Sequence, residues 1–167
     1  MSQPAPATST TPARSVSVSR TINAPAQRVW SLISDVTRMG EWSPETTSCV
    51  WLKGATAPAL GARFKGINQN GKKQWSTTCK VSQCEPAKSF AFLVDVGPIK
   101  VAGWSYNIEA GDSSGTSCTV TETWTDRRGW LAGKLGKPLS GVADRSEHNR
   151  AGMVTTLDNL AAAAEQP

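Results

Sequence analysis

Three polar side chains are predicted to share the buried face of a sheet, where they could bind or transform a carbonyl compound. Asn68, Tyr106 and Glu122 each lie on a segment in which apolar and polar residues alternate, as in a half-buried strand. A carboxyl beside a phenol can orient a ligand hydroxyl or act as an acid/base pair on a carbonyl. A buried carboxylate also needs a partner, and Arg145 is the candidate for Glu122. A structural ion pair is therefore the alternative to catalysis.

Other chemical motifs in the sequence are missing or incomplete. His148 is the single histidine and has no nearby cluster of His, Asp or Glu, so no metal site is predicted. On a helix, His148 would lie about 100° from Asn149, which favours a position on the exposed helix surface. The alternative is that His148 acts as a base at the edge of a pocket. Residues 66–73 resemble a phosphate-binding loop but end in Lys73 instead of Ser or Thr. Dinucleotide fingerprints and nucleophile elbows do not occur, and no cofactor is predicted.

Tryptophan is the dominant aromatic residue, with seven Trp against three Phe and one Tyr. Four of them occupy alternating segments: Trp51, Trp75, Trp104 and Trp124. Tryptophan has a large apolar surface and an N–H group that needs a partner. Several on one face of a sheet indicate either an unusually heavy core or an aromatic-lined cavity, and we expect both roles to be represented.

Gly66 lies between Phe64 and Asn68 on the same predicted inward face. A glycine inside a strand weakens it unless another group approaches closely or the strand bulges. Gly66 therefore predicts either open floor beneath a ligand or a bulge that bends the sheet.

The hydrophobic period predicts one strand, two short helices, six more strands and a long helix, in that order. The strands are predicted at residues 15–21, 48–52, 62–68, 74–84, 88–96, 99–109 and 116–126. Pro25 lies in the first turn of the first helix. The second helix is predicted at residues 35–42 and the long one at 139–164. Asn70-Gly71 is typical of a type I′ hairpin turn.

These elements predict one α+β domain. Regularly spaced strands with turn signals favour an antiparallel sheet, whose apolar face must be covered. The long helix is the only predicted element long enough to cover it. We therefore expect a curved seven-stranded antiparallel sheet wrapped around a C-terminal helix, with two short helices after strand 1. Residues 1–13 are predicted to be a disordered tail, and residues 14–164 a single domain.

Composition argues against several other classes of protein. The formal net charge of +5 comes without a basic stripe interleaved with exposed aromatics, so nucleic-acid binding is not expected. The sequence has no apolar run long enough to span a bilayer and no secretory signal, which favours the cytoplasm. The four cysteines are expected to be free thiols. Cys79 and Cys84 would lie roughly 16 Å apart along one strand, beyond the ~7 Å bridging limit.

Five segments resemble the helix-grip (START-like) superfamily, in particular small actinobacterial-type members of its polyketide cyclase/dehydrase branch. The segments are INAPAQRVWSLISDVTRMGEWSP (22–44), GARFKGINQNGKKQW (61–75), WSYNIE (104–109), TVTETWTD (119–126) and GVADRSEHNRAGMVTTLDNL (141–160). The resemblance implies a cavity between the sheet and the C-terminal helix that holds a hydrophobic small molecule, such as a lipid, a fatty acyl chain or a polyketide-like aromatic. The alternatives are a cyclase/dehydrase-type enzyme and an interaction module with a filled core.

Strand faces and helix spacing together predict the residues that would bind this ligand. They are Phe64, Asn68, Trp75, Phe92, Trp104, Tyr106, Glu122, Trp124, Asn149 and Met153. Glu122 and Tyr106 are also the candidate catalytic residues. The expected state is a monomer or weak dimer.

Residues 127–137 combine three apolar side chains with four cations and three glycines between the last strand and the long helix. This segment is either a mobile lid over the cavity or an ordinary connector. Its Trp130 and cations predict weak contact with an anionic membrane.

Overall fold

The computed structural model describes residues 15–111, 113–129, 140–142 and 144–166. The predicted tail at residues 1–13 and most of the predicted lid, from Trp130 onward, lie outside the described residues. Within the described part, no helix is both long and apolar enough to cross a membrane.

Seven strands form one antiparallel sheet in the order β1-β7-β6-β5-β4-β3-β2, which confirms the predicted fold. The strands are β1 (Ser15–Ile22), β2 (Thr46–Leu52), β3 (Arg63–Asn70), β4 (Lys73–Glu85), β5 (Ser89–Val96), β6 (Ile99–Ala110) and β7 (Cys118–Asp126). Strands β2 to β7 form a meander, and β1 joins it by pairing with β7. Register shifts in the β2–β3, β4–β5 and β5–β6 pairs interrupt the regular ladders. Such irregularities bend strands and increase their twist, which helps a sheet to curve.

Two short helices follow β1 and pack against the sheet. Helix α1 (Ala26–Ser34) buries Val29 and Ile33 and contacts β5, β6 and the C-terminal helix. The second element is a 3₁₀ helix, Val36–Glu41, which packs against β2. Asp35 begins it by accepting a hydrogen bond from the Thr37 amide at 3.2 Å, the usual role of an Asp at this position.

The C-terminal helix α2 (Arg145–Ala164) begins six residues later than its predicted start at residue 139. Gly141 has a left-handed backbone, with φ of 72°, which a helix cannot contain. Asp144 then caps α2 by accepting hydrogen bonds from the amides of Ser146 and Glu147. The buried face of α2 consists of Asn149, Met153, Thr156, Leu157, Leu160, Ala161 and Ala164.

The turn between β3 and β4 differs from the predicted type I′ turn. Asn70 and Lys73 are paired, so the two turn residues are Gly71 and Lys72. Gly71 has φ of 57°, whereas Lys72 is not among the residues with positive φ. A type I′ turn needs positive φ at both positions, so this geometry fits type II′.

Candidate functional site

A cavity of about 150 Å³ lies between the inner face of the sheet and α2. An apolar cavity of about this volume holds a molecule such as benzene. Aromatic rings form much of its wall, and Phe64 packs edge-on against Phe92 with centroids 5.2 Å apart. The cavity is therefore large enough for one aromatic ring.

All ten residues predicted to bind a ligand lie along this cavity. Eight of them project from the sheet: Phe64, Asn68, Trp75, Phe92, Trp104, Tyr106, Glu122 and Trp124. The other two, Asn149 and Met153, lie one helical turn apart on the buried face of α2. The alternation of each strand brings these residues together because every second side chain points to the same face. Trp51 packs edge-on against Phe64, with ring centroids 5.8 Å apart, but it is not part of the cavity wall.

Glu122 and Tyr106 form the most buried polar pair of the cavity. They are directly opposite each other on β7 and β6, and the Tyr106 hydroxyl donates to Glu122 Oε1 at 2.8 Å. Glu122 is 2% exposed and Tyr106 6%. Among the described residues, Glu122 Oε2 is buried without a hydrogen-bond partner.

Burial controls the ionisation of this pair. Loss of solvation raises the pKa of Glu122 to about 8, although the hydrogen bond from Tyr106 acts in the opposite direction. Burial also raises the pKa of Tyr106, and the nearby Glu122 carboxyl adds to the effect. A carboxyl with this pKa is mainly protonated at neutral pH, so Glu122 can donate a hydrogen bond from the oxygen that Tyr106 does not engage.

The predicted ion pair between Glu122 and Arg145 does not form. Arg145 instead binds Glu45 through two hydrogen bonds, from Nη1 to Oε1 at 2.7 Å and from Nη2 to Oε2 at 3.1 Å. The late start of α2 places Arg145 in the first turn of the helix, beside Glu45 just before β2. No pattern in the sequence points to Glu45, because the two residues are 100 positions apart and Glu45 lies in a loop.

His148 also lies at the cavity, and the prediction that favoured exposed helix surface was wrong. Its Nε2 is 3.2 Å from Glu45 Oε1, and its side chain is 37% exposed. One helical turn earlier, the Arg145 guanidinium lies 5.8 Å from the centroid of the Trp75 ring. Glu45, Arg145 and His148, here called the mouth cluster, therefore form the charged, partly exposed side of the cavity.

Arg128 lines the cavity just after the end of β7 and forms a second ion pair, with Asp126. Arg128 donates to both carboxylate oxygens of Asp126, at 2.9 and 2.6 Å, and its backbone amide donates to the same carboxylate. Arg127 continues the chain along β6, since its amide donates to the Val101 carbonyl. That contact places Arg128 near the beginning of β6. Helix α1 packs near the opposite end of the β5 and β6 strands, where Trp30 donates to the Ser89 carbonyl at 3.0 Å.

A small polar network lines the wall formed by β2, β3 and β4. Asn68 accepts a hydrogen bond from Thr46 at 3.0 Å and donates to Thr77 at 3.4 Å. Gly66, beside it, pairs regularly with Cys49 and Thr77 on the two neighbouring strands. The bulge considered for Gly66 is therefore absent, and the register shifts lie elsewhere. A Cβ atom at Gly66 would lie 3.2 Å from Thr77 Oγ1 and would occupy the floor of the cavity.

All four cysteines are free thiols, as predicted. Burial raises the pKa of Cys49 and of Cys79 to about 12, so both are poor nucleophiles at neutral pH. Within the residues that the structure describes, no group of three or more His, Cys, Asp or Glu could hold a metal ion.

Three solved structures share this fold over nearly the whole chain. A Polyketide_cyc-like protein from Corynebacterium glutamicum is 28% identical, with a TM-score of 0.57 and 92% of this chain and 90% of that chain covered. The Zhui aromatase/cyclase from Streptomyces sp. R1128 is 19% identical, with a TM-score of 0.65 and coverages of 92% and 94%. A START superfamily protein from Mycobacterium smegmatis is 14% identical, with a TM-score of 0.67 and coverages of 91% and 97%.

Comparison with curated protein sequences gives no match. The sequence does match a family model, described as polyketide cyclase/dehydrase and lipid transport, over residues 13–165. That match spans every helix and strand described above. The chain therefore belongs to the polyketide cyclase/dehydrase and lipid transport family.

Proposed function

We propose that the protein binds a hydrophobic small molecule in the cavity between the sheet and α2. The observation that carries the proposal is an aromatic-walled cavity of about 150 Å³ that contains a buried carboxyl oxygen without a partner among the described residues. Protein interiors are normally close-packed, and their buried polar atoms are normally hydrogen-bonded. The unfilled space and the carboxyl oxygen without a partner occur in the same place, and a bound ligand would fill the one and satisfy the other. The cavity also argues against an interaction module with a filled core.

The test uses two methionine methyl groups as reporters. Met39 and Met153 both line the cavity, and the third methionine is Met1. Protein labelled with ¹³C at the methionine methyl groups is titrated with toluene, a probe of single-ring size. We expect the Met39 and Met153 signals to shift saturably. Signals that stay unchanged up to the solubility limit of toluene would count against the proposal.

A pair of glycine variants provides a matched control. Gly66→Ala adds a methyl group at the cavity floor, near Thr77. Gly103→Ala makes the same change on the outer face of β6, where the new Cβ atom would make ordinary contacts with Arg127 at 3.5 Å and Leu93 at 3.7 Å. We expect Gly66→Ala to weaken toluene binding severalfold and Gly103→Ala to leave it unchanged. Equal effects of the two variants would show that the probe binds elsewhere.

An enzyme of the cyclase/dehydrase type is the second candidate. The mouth cluster favours it, because Glu45 holds His148 at the cavity and a histidine held by a carboxylate can act as a base. Glu122 could serve as an acid inside the cavity. The similarity to an aromatase/cyclase supports the same candidate. The test is turnover of a poly-β-keto thioester by the wild type and by His148→Ala. A rate equal to the uncatalysed rate would leave binding as the function.

We propose a cytoplasmic monomer or weak dimer that does not bind nucleic acid and contacts membranes weakly at most. Sedimentation velocity tests the oligomeric state. Flotation with anionic vesicles, with and without Trp130→Ala, tests the membrane contact.

A further inference from the structure

Some buried polar atoms of the protein have a hydrogen-bond partner among the described residues, and others have none. Four buried side-chain atoms have no partner among the described residues, on Ser89, Asp95, Glu122 and Ser140. Of these four residues, only Glu122 lines the cavity. Asn68, another polar side chain of the cavity wall, already uses both its oxygen and its nitrogen. Glu122 is therefore the group that a ligand would satisfy.

The neighbour of Glu122 restricts what this group can offer. The Tyr106 hydroxyl has one hydrogen, and it is directed to Glu122 Oε1. Oε1 therefore acts as an acceptor, and a proton on the carboxyl resides on Oε2. A protonated Oε2 is a donor, and its matching partner is an acceptor oxygen on the ligand.

The arginines of the cavity do not offer a free positive charge to a ligand. Arg145 binds both carboxylate oxygens of Glu45, and Arg128 binds both of Asp126. An anionic ligand would have to displace one of these carboxylates. It would also have to lose its hydration in a cavity with an aromatic wall, and an unpaired buried charge is very costly.

We propose that the cavity selects uncharged ligands that place a carbonyl oxygen against Glu122, such as aromatic ketones, aldehydes or esters, over carboxylates of the same shape. The proposal rests on the proposed function, because it names the class of ligand that the same cavity takes. Glu122 acts in it as a hydrogen-bond donor, and the aromatic wall contacts the rest of the ligand.

Three probes with nine heavy atoms each and nearly the same shape test this selection. Acetophenone carries a ketone oxygen, cumene carries no oxygen, and benzoate carries a charge at neutral pH. Each is titrated at pH 6.5 into methyl-labelled protein, with the Met39 and Met153 signals as the readout. We expect acetophenone and cumene to bind and benzoate to bind at least tenfold more weakly than acetophenone. Benzoate binding as tightly as acetophenone would overturn the proposal.

Two variants test whether Glu122 donates a hydrogen bond to the carbonyl oxygen of the ligand. Glu122→Gln keeps a donor and an acceptor of nearly the same size, so acetophenone affinity should stay within about threefold of the wild type. Glu122→Leu keeps the volume but removes the donor, so acetophenone affinity should fall about tenfold, the loss of one hydrogen bond. Cumene affinity should not fall in Glu122→Leu, which also checks that this variant folds with its cavity intact.

The outcomes separate the two proposals. If cumene and acetophenone bind the wild type but lose affinity equally in Glu122→Leu, or if Glu122→Gln loses acetophenone as Glu122→Leu does, the donor role is wrong and the binding function stands. If none of the three probes shifts the methionine signals, the proposed function fails as well.

Discussion

Tyr106 donates its hydroxyl hydrogen to Glu122 Oε1 at 2.8 Å, from the directly opposite position on the neighbouring strand. The bond satisfies one oxygen of a deeply buried carboxyl and leaves the other without a described partner. Burial raises the pKa of Glu122 to about 8. This carboxyl is therefore an acid held in its neutral form at physiological pH, which makes the stability of the protein depend on pH.

Glu122 should make the protein less stable as the pH rises. Its pKa is about 8 in the folded state against an ordinary value of 4.5, so between these pH values the folded state binds the proton and the unfolded state releases it. The free energy of unfolding should therefore fall as pH rises from about 4.5 to about 8, by about 1.4 kcal/mol for each unit of pKa difference. Outside this window Glu122 should contribute no pH dependence.

Glu122→Gln should remove this contribution. Urea unfolding at several pH values between 4 and 9 should show that the variant gains stability relative to the wild type as pH rises, and that the gain levels off above about pH 8. A constant difference between the two proteins across the range would mean that Glu122 ionises normally.

Tyr106→Phe should raise the pKa of Glu122 further. The hydrogen bond from Tyr106 lowers that pKa, so its loss removes the one neighbouring group that favours the carboxylate. We expect a stability loss of about 1–3 kcal/mol, because a second buried oxygen loses its partner. The pH-dependent fall in unfolding free energy should also extend to higher pH than in the wild type. If the fall ended at the same pH in Tyr106→Phe as in the wild type, the hydrogen bond from Tyr106 would not be lowering the pKa of Glu122.

The Arg145–Glu45 pair should stabilise the beginning of α2. Both side chains are about one-fifth exposed, and the pair is bidentate, a geometry that strengthens a charged hydrogen bond. A double-mutant cycle with Arg145→Met and Glu45→Gln should give a coupling energy of about 1 kcal/mol, near the upper end for partly exposed pairs. The cycle should be repeated in His148→Ala, since His148 contacts the same carboxylate. A coupling energy near zero would show that solvent screens the pair.

Cys84 should be the one thiol that reacts quickly in the folded protein. It is partly exposed, whereas Cys49, Cys79 and Cys118 are buried. Burial raises the pKa of all four thiols, Cys84 included, so exposure is what distinguishes Cys84. Ellman's reagent at pH 8 should therefore show one fast thiol per chain, and Cys84→Ser should abolish that fast phase. Two or more fast thiols would mean that the sheet opens readily.

The sequence predicted the strand faces well because the direction of a side chain in a strand is a local property. Every second residue points to one face, so Phe64 and Asn68, or Trp104 and Tyr106, could be assigned to the cavity wall without knowing which strands pair. Helical spacing placed Asn149 and Met153 together for the same kind of reason.

The charged contacts could not be predicted in this way. Arg145 is the candidate partner of Glu122 from the sequence because a buried carboxylate needs one, but the partner of Arg145 depends on where α2 begins and what lies beside its first turn. Gly141 and Asp144 set that beginning, and Glu45 lies beside it from a loop 100 positions earlier. His148 lies at the cavity for the same reason, because its side chain contacts Glu45 as well.

By itself, the sequence determined the order of the elements, the inward face of each strand and hence the membership of the cavity wall. Those properties follow from the two-residue period of strands and the need to cover an apolar face. Only the tertiary structure decided that Glu122 pairs with Tyr106 instead of an arginine, and that one of its oxygens is left over. Hydrogen bonds and pKa values depend on distances of a few ångströms between residues far apart in the chain, and those distances exist only once the sheet has curved around α2.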